Sequence, residues 1–204
     1  MIRADIVVTP TFSHFAGYAG IIAGVSSILY AVAFLILKNS SLAAVLLVVG
    51  SLFAAVVSIM LYMQLRQVDE AFALLGMLLG VIGALGGAIH AMNDLANVIL
   101  PPDTTLDKTL PNPIDPRGFL AFGLSGAGVL IFAWLITQGG PLPQLLAYVG
   151  FVLGVALVAL FLGNLLVNRP SSLAILIPGG VASLLADPFW LIGLGIVFLR
   201  GAHR

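Results

Sequence analysis

The feature that most constrains this chain is a succession of long apolar segments that carry almost no charge. Hydrophobic residues make up 61% of the 204 positions and charged residues only 8%, against about 25% charged residues in soluble domains. About 20 consecutive apolar residues are enough for a helix to cross the hydrocarbon core of a bilayer. The sequence therefore predicts a single all-α integral membrane domain, a bundle of six transmembrane helices over residues 16–37, 42–65, 71–97, 119–137, 142–167 and 181–199.

The start of the last span is ambiguous in the sequence. Residues 173–177 are apolar, but Pro178, Gly179 and Gly180 follow them directly. Either one long kinked helix runs from residue 173 to residue 199, or a short interfacial piece precedes a separate span from about Val181. We prefer the second alternative, because residues 181–199 already supply the length that a bilayer requires.

A proline-rich polar segment over residues 101–117 separates the third span from the fourth. Proline fixes φ and removes a backbone donor, and this segment contains five prolines and three aspartates. We expect an extended loop over one mouth of the bundle. The sequence leaves open whether that loop is a lid over a site or a plain connector.

One narrow face of the third span is built almost entirely of glycine. At about 100° per residue, six positions of this span fall within about 40° of one line: Gly76, Gly80, Gly83, Gly87, His90 and Asp94. Glycines let a neighbouring helix approach the backbone closely. We expect this face to pack against the first or the fourth span, and Gly20 and Gly24 to do the same in the first span.

The far end of the glycine face carries an imidazole and a carboxylate. His90 is a candidate for ligand binding or proton coupling, and it could also ligate haem or chlorophyll or simply bond a neighbouring carbonyl. Asp94 lies one helical turn further on, where it would fix the tautomer of His90. The cofactor stays open, and with no cysteine in the chain we expect no catalytic thiol and no metal site.

Asp187 is the most costly residue of the sequence, because it falls inside the predicted last span. Insertion scales put an aspartate at mid-helix at about 2.5–3.5 kcal/mol. One interpretation is local: Asp187 followed by Pro188 has the form of an N-cap with proline at the first helical position. The other is a protonatable carboxylate for ion coupling, which makes Asp187 the third candidate site residue.

Charge and motifs narrow the functional classes. The formal net charge is zero, so nothing indicates a nucleic-acid partner. No Ser/His/Asp set and no phosphate-binding loop is visible, and we do not expect an enzyme. The prediction is a small permease or ligand-binding membrane protein that uses an intramembrane polar site. The alternative is a non-catalytic accessory subunit of a larger membrane complex, and homo-oligomerisation stays open.

Six spans place both termini on the same side of the membrane. The Lys and Arg residues divide evenly between the two sides, so the positive-inside rule decides little. We expect cytoplasmic termini, because Arg200 and Arg204 closely flank the last span. Leu46, Val49 and Gly50 recur about 100 positions later, so the two halves could form a 3+3 inverted repeat of the kind that transporters use.

Two segments of the second half carry a family resemblance. A Leu-Pro entry leads into a glycine-spaced span over residues 140–154, and Pro188 and Trp190 open a final helix that ends at Arg200. In these features the chain resembles the bacterial membrane family called domain of unknown function 4386. The resemblance implies a compact multi-span bundle in a bacterial plasma membrane, and it supplies no reaction and no catalytic residues.

Overall fold

The computed structural model describes residues 9–99, 115–167 and 172–201, and these residues are almost entirely helical and contain no strand. They form six helices long and apolar enough to cross a membrane: α1 Pro10–Ile36, α2 Ser40–Leu65, α3 Glu70–Ile99, α4 Phe119–Thr137, α5 Gln144–Leu166 and α6 Leu173–Gly201. The predicted all-α bundle of six membrane helices is confirmed. Large apolar side chains point outward along the helices, as contact with lipid requires.

Short polar turns set where three of the helices begin. α1 starts at Pro10, six residues earlier than the predicted span, because the Thr9 hydroxyl accepts the Phe12 amide and proline suits the first helical position. The side chain of Asn39 accepts the Leu42 amide at 3.0 Å in the same way before α2. Asp69 caps α3 with an equally short bond.

The six helices form a closed ring in sequence order. Each helix packs against the next, and α6 returns to pack against α1. The closure relies on glycine, because a Cβ added to Gly20 would lie 2.7 Å from the Leu191 carbonyl oxygen, and one added to Gly195 would lie 2.6 Å from that of Gly17. The backbones of α1 and α6 are therefore nearly in contact, as small residues at a membrane-helix interface allow.

The two ends of the ring are filled differently. At the end where α1, α3 and α5 begin, which we call the packed end, large apolar side chains are fully buried: Leu65, Leu135, Ile136, Leu194 and Phe198. These side chains close the axis of the ring. The opposite end, from which α3 continues into residues 100–114, lacks such a plug among the described residues, and we call it the hollow end.

The last helix differs from the predicted start near Val181. α6 is continuous from Leu173 to Gly201, and a π-helical segment over Val181–Ala186 joins its two α-helical parts. Pro178 has no amide hydrogen to donate to the Ala174 carbonyl. Gly163 of α5 packs against that oxygen, where an added Cβ would lie 2.7 Å away, and this contact lets α6 tolerate the proline. The long helix that we considered less favourable is thus the one observed.

Most of the predicted loop over residues 101–117 lies outside the described residues. Its described end is not extended: Pro116–Gly118 forms a 3₁₀ turn in which Arg117 and Gly118 both have positive φ. This turn folds Asp115 back over the start of α4, where its carboxylate accepts the amides of Leu120 at 2.8 Å and Ala121 at 3.0 Å. Asp115 is thus a buried helix cap.

Candidate functional site

A cavity of about 240 Å³ lies on the axis of the ring, and all six helices contribute to its wall. An engineered cavity of about 150 Å³ in another protein holds benzene, so this one has room for a small molecule. Its wall mixes apolar side chains with a set of polar ones: Ser26, Ser27, Tyr30, Ser51, Ser58, His90, Ser125, Ser183 and Asp187.

The glycine face of α3 forms part of this wall. Added Cβ atoms would lie 2.7 Å from the Ser58 hydroxyl at Gly80 and 2.8 Å from the Ser51 hydroxyl at Gly87. One added to Gly83 would meet the backbone of Ser125. These three glycines therefore bring α3 close to α2 and α4 and also keep the cavity free of side chains. Gly76 lies nearer the packed end, against the Phe132 ring.

His90 and Asp94 lie at the hollow end of the ring, but only His90 faces the cavity. The His90 side chain is 20% exposed and lines the cavity. Its Nε2 lies 3.5 Å from Asp94 Oδ2, and the Asp94 side chain is 45% exposed and stands outside the cavity wall. Asp94 is also the charged neighbour of Tyr30 on α1. The pair thus spans from the cavity to the surface of the hollow end.

Asp187 occupies the middle of α6 and faces the cavity. It is the central residue of Leu173–Gly201, about 21 Å from either end at 1.5 Å per residue. Its φ of −66° and ψ of −48° are those of a helix interior, so the interpretation of Asp187 as an N-cap is corrected, because α6 does not break here. The side chain is half-buried and lines the cavity, as Ser27 of α1 does.

The π-helical turn before Asp187 explains the position of Ser27. The Asp187 amide donates five residues back, to the Ala182 carbonyl, and in the same pattern residue 188 would donate to the Ser183 carbonyl. Pro188 has no amide hydrogen, and the Ser27 hydroxyl donates a long hydrogen bond of 3.5 Å to that oxygen instead. α1 therefore supplies the donor that α6 lacks beside the carboxylate. π-helical turns recur at functional sites.

Of the three candidate residues, His90 and Asp187 line the same cavity, whereas Asp94 lies outside the cavity wall next to His90. The serines and Tyr30 of the wall were not among the candidates, although Ser51 and Ser58 are seven residues apart and so share a face of α2. That spacing was the available signal. It shows nothing, however, about which face of α2 points inward.

The donor set limits what this cavity could hold. Among the described residues, no three His, Asp or Glu side chains gather as a metal site would require. The cavity volume is also below the roughly 300 Å³ at which pockets for drug-sized ligands begin.

Comparisons with family models, with curated proteins and with solved structures found no match to the chain. The resemblance to domain of unknown function 4386 therefore stays a prediction, as does the inverted repeat. The fold and the site define a multi-pass membrane protein, in which six helices of the described residues enclose a cavity with a mixed apolar and polar wall.

Proposed function

We propose that this chain is a small permease or ligand-binding membrane protein whose ligand occupies the central cavity beside Asp187. The observation that carries the proposal is the position of this carboxyl group, at the midpoint of a membrane helix and turned into a cavity. Ionisable side chains at such depth are expensive and typically mark substrate or ion pathways. The serine hydroxyls around it offer hydrogen bonds to a polar ligand.

The packing of the ring supports access from one side only. Fully buried apolar side chains fill the packed end, whereas His90 and Tyr30 line the cavity towards the hollow end. We propose that the ligand enters at the hollow end, past these two side chains. With cytoplasmic termini in a bacterial plasma membrane, the orientation that we propose, the hollow end faces outward.

The alternative, a non-catalytic subunit of a larger complex, predicts a dry and closely packed core. The cavity and its polar wall favour the ligand-binding function over that alternative. We also propose no enzymatic activity, because the sequence shows no Ser/His/Asp set and no phosphate-binding loop.

Cysteine labelling tests this proposal cleanly, because the chain has no native cysteine. Ser51→Cys places a thiol in the cavity wall, and a small charged methanethiosulfonate added outside intact cells should modify it. Ala147→Cys is the matched control, because Ala147 is fully buried near the packed end and a thiol at this position should stay unmodified.

Two exposed positions establish sidedness in the same assay. Ser40→Cys lies at the hollow end and should react from outside, whereas Gln67→Cys lies in the turn at the packed end and should react only after permeabilisation. If Ser51→Cys resists the reagent from both sides while both exposed thiols react, the cavity is closed to water and the accessory-subunit alternative gains.

A further inference from the structure

We infer that the ligand of this cavity is a small organic cation, bound by its ammonium group to the Asp187 carboxylate in exchange for a proton. This inference rests on the proposed function and names its ligand class. The exchange is balanced: the neutral carboxyl group releases its proton to water, and the carboxylate that remains pairs with the arriving ammonium group. No bond other than the O–H bond is broken.

The charges of the cavity wall carry the first step. Among the described residues that line the cavity, none is Lys or Arg, and Asp187 is the one carboxylate. An ionised carboxylate at the centre of a membrane helix requires compensation. Since this wall contributes no lysine or arginine and His90 pairs with Asp94, the charge that compensates Asp187 is either a proton on the carboxyl group or a bound cation.

The aromatic and apolar side chains near Asp187 indicate an organic cation. Trp190 lies three residues after Asp187, on the same face of α6, and is buried against the cavity. Indole faces attract ammonium groups. Other parts of the cavity wall are formed by leucine and valine side chains such as Leu153, Leu157 and Val57. A ligand with an ammonium group at one end and a short apolar body matches this arrangement.

A bare inorganic cation matches the cavity less well. Calcium takes six to eight oxygen ligands, several of them usually carboxylates, and the described part of this wall contains only one carboxylate. A sodium or potassium ion would fill a small part of 240 Å³ and would leave the apolar wall facing an empty or water-filled space.

Other titratable groups that face the cavity come from two helices. α1 contributes Tyr30 and α3 contributes His90, whereas the lining residues of α2, α4 and α5 are apolar, glycine or serine. Tyr30 carries no positive charge in either protonation state, and His90 has the Asp94 carboxylate, outside the cavity wall, as its ion-pair partner. Asp187 is therefore the group whose proton the cation displaces.

Trp190 can report binding directly. The chain has two tryptophans, and Trp134 lies outside the cavity, against the Phe72 ring at 5.1 Å. In a Trp134→Phe protein in lipid nanodiscs, Trp190 is the sole indole fluorophore. The probes are n-butylammonium chloride, its neutral counterpart 1-butanol, its anionic counterpart butyrate, and sodium chloride at equal concentrations.

We expect butylammonium alone to change Trp190 emission saturably. The apparent Kd should weaken about tenfold for each unit that pH falls on the acidic limb, because one proton competes with one cation. A weakly buffered sample should release about one proton per bound cation. Asp187→Asn keeps the shape of the side chain but removes its charge, and it should weaken binding at least about tenfold and abolish both the pH slope and the proton release.

The outcomes separate the two proposals. If butanol or sodium chloride acts as strongly as butylammonium, or if binding releases no proton from the wild-type protein, the organic-cation inference is overturned while labelling of Ser51→Cys still supports a ligand cavity. If Ser51→Cys cannot be labelled from either side, the proposed function fails and this inference fails with it. Proton release is measured on the unmutated residue 187, so it does not depend on the folding of Asp187→Asn.

Discussion

Closure of the ring between α1 and α6 predicts different stabilities for two glycine-to-alanine variants. In Gly20→Ala the new methyl group would lie 2.7 Å from the Leu191 carbonyl oxygen and 2.9 Å from the Cα of Gly195. These are backbone atoms that cannot rotate aside, so the two helices must separate by about 0.7 Å to restore ordinary contact. Gly180→Ala is the matched control, because nothing lies within 4 Å of its added methyl group.

The comparison isolates packing from helix propensity. Both glycines have helical backbone conformations, so each substitution gains about 1 kcal/mol of propensity. Overpacking costs about 1–3 kcal/mol and applies to Gly20→Ala alone. We expect Gly180→Ala to be more stable than the wild type by up to about 1 kcal/mol, and Gly20→Ala to be less stable than Gly180→Ala by about 1–3 kcal/mol.

Reversible unfolding in mixed micelles, followed by far-UV circular dichroism as the fraction of dodecyl sulfate is raised, measures both free energies of unfolding. Equal stabilities of the two variants would refute the reasoning, because they would mean that α1 and α6 do not meet at Gly20. The ring would then be open between its first and last helices.

Three further substitutions test individual contacts. Ser27→Ala removes the donor to the Ser183 carbonyl and should lower the free energy of unfolding by about 1 kcal/mol. In a Pro188→Ala background the loss should be smaller, because the restored amide of residue 188 supplies a donor. Equal losses in the two backgrounds, measured in the same unfolding assay, would contradict this. Asp115→Asn keeps one acceptor oxygen but replaces the other by an NH₂ group, so one of the two capped amides loses its partner. This loss should cost about 1 kcal/mol and be visible as faster hydrogen exchange of the first amides of α4; unchanged exchange would count against the cap. His90→Ala should weaken butylammonium binding while changing the free energy of unfolding by less than about 1 kcal/mol, because the Asp94 side of its ion pair is 45% exposed. A lower stability with unchanged binding would make His90 a packing residue.

The number and approximate positions of the helices could be predicted because length, hydropathy and the 3.6-residue period are local properties. The position of His90 on the glycine face of α3 follows from the same period. The continuity of α6 could not be predicted, because Pro178 is tolerated only through the approach of Gly163 from another helix. Nothing near Pro178 in the sequence indicates that contact.

The cavity was beyond sequence reasoning for a similar reason. Each serine is visible in its own helix, but Ser27, Ser51 and Ser125 converge only because α1, α2, α3 and α4 pack against one another around the cavity. Asp115 shows the same limit at shorter range. Its carboxylate reaches amides five and six residues ahead only because Arg117 and Gly118 turn the chain with positive φ.

The most direct test of the central claim, that Asp187 faces water inside the bundle, compares two carbodiimides that modify protonated carboxyl groups. Dicyclohexylcarbodiimide reaches carboxyl groups from lipid, whereas a charged, water-soluble carbodiimide reaches them only from water. We predict that the water-soluble reagent modifies Asp187 in the membrane-embedded protein, that peptide mass spectrometry places the adduct at this residue, and that the adduct is absent in Asp187→Asn. Modification of Asp187 by the lipid-soluble reagent alone would contradict the account, because the carboxyl group would then face acyl chains and not a water-filled cavity.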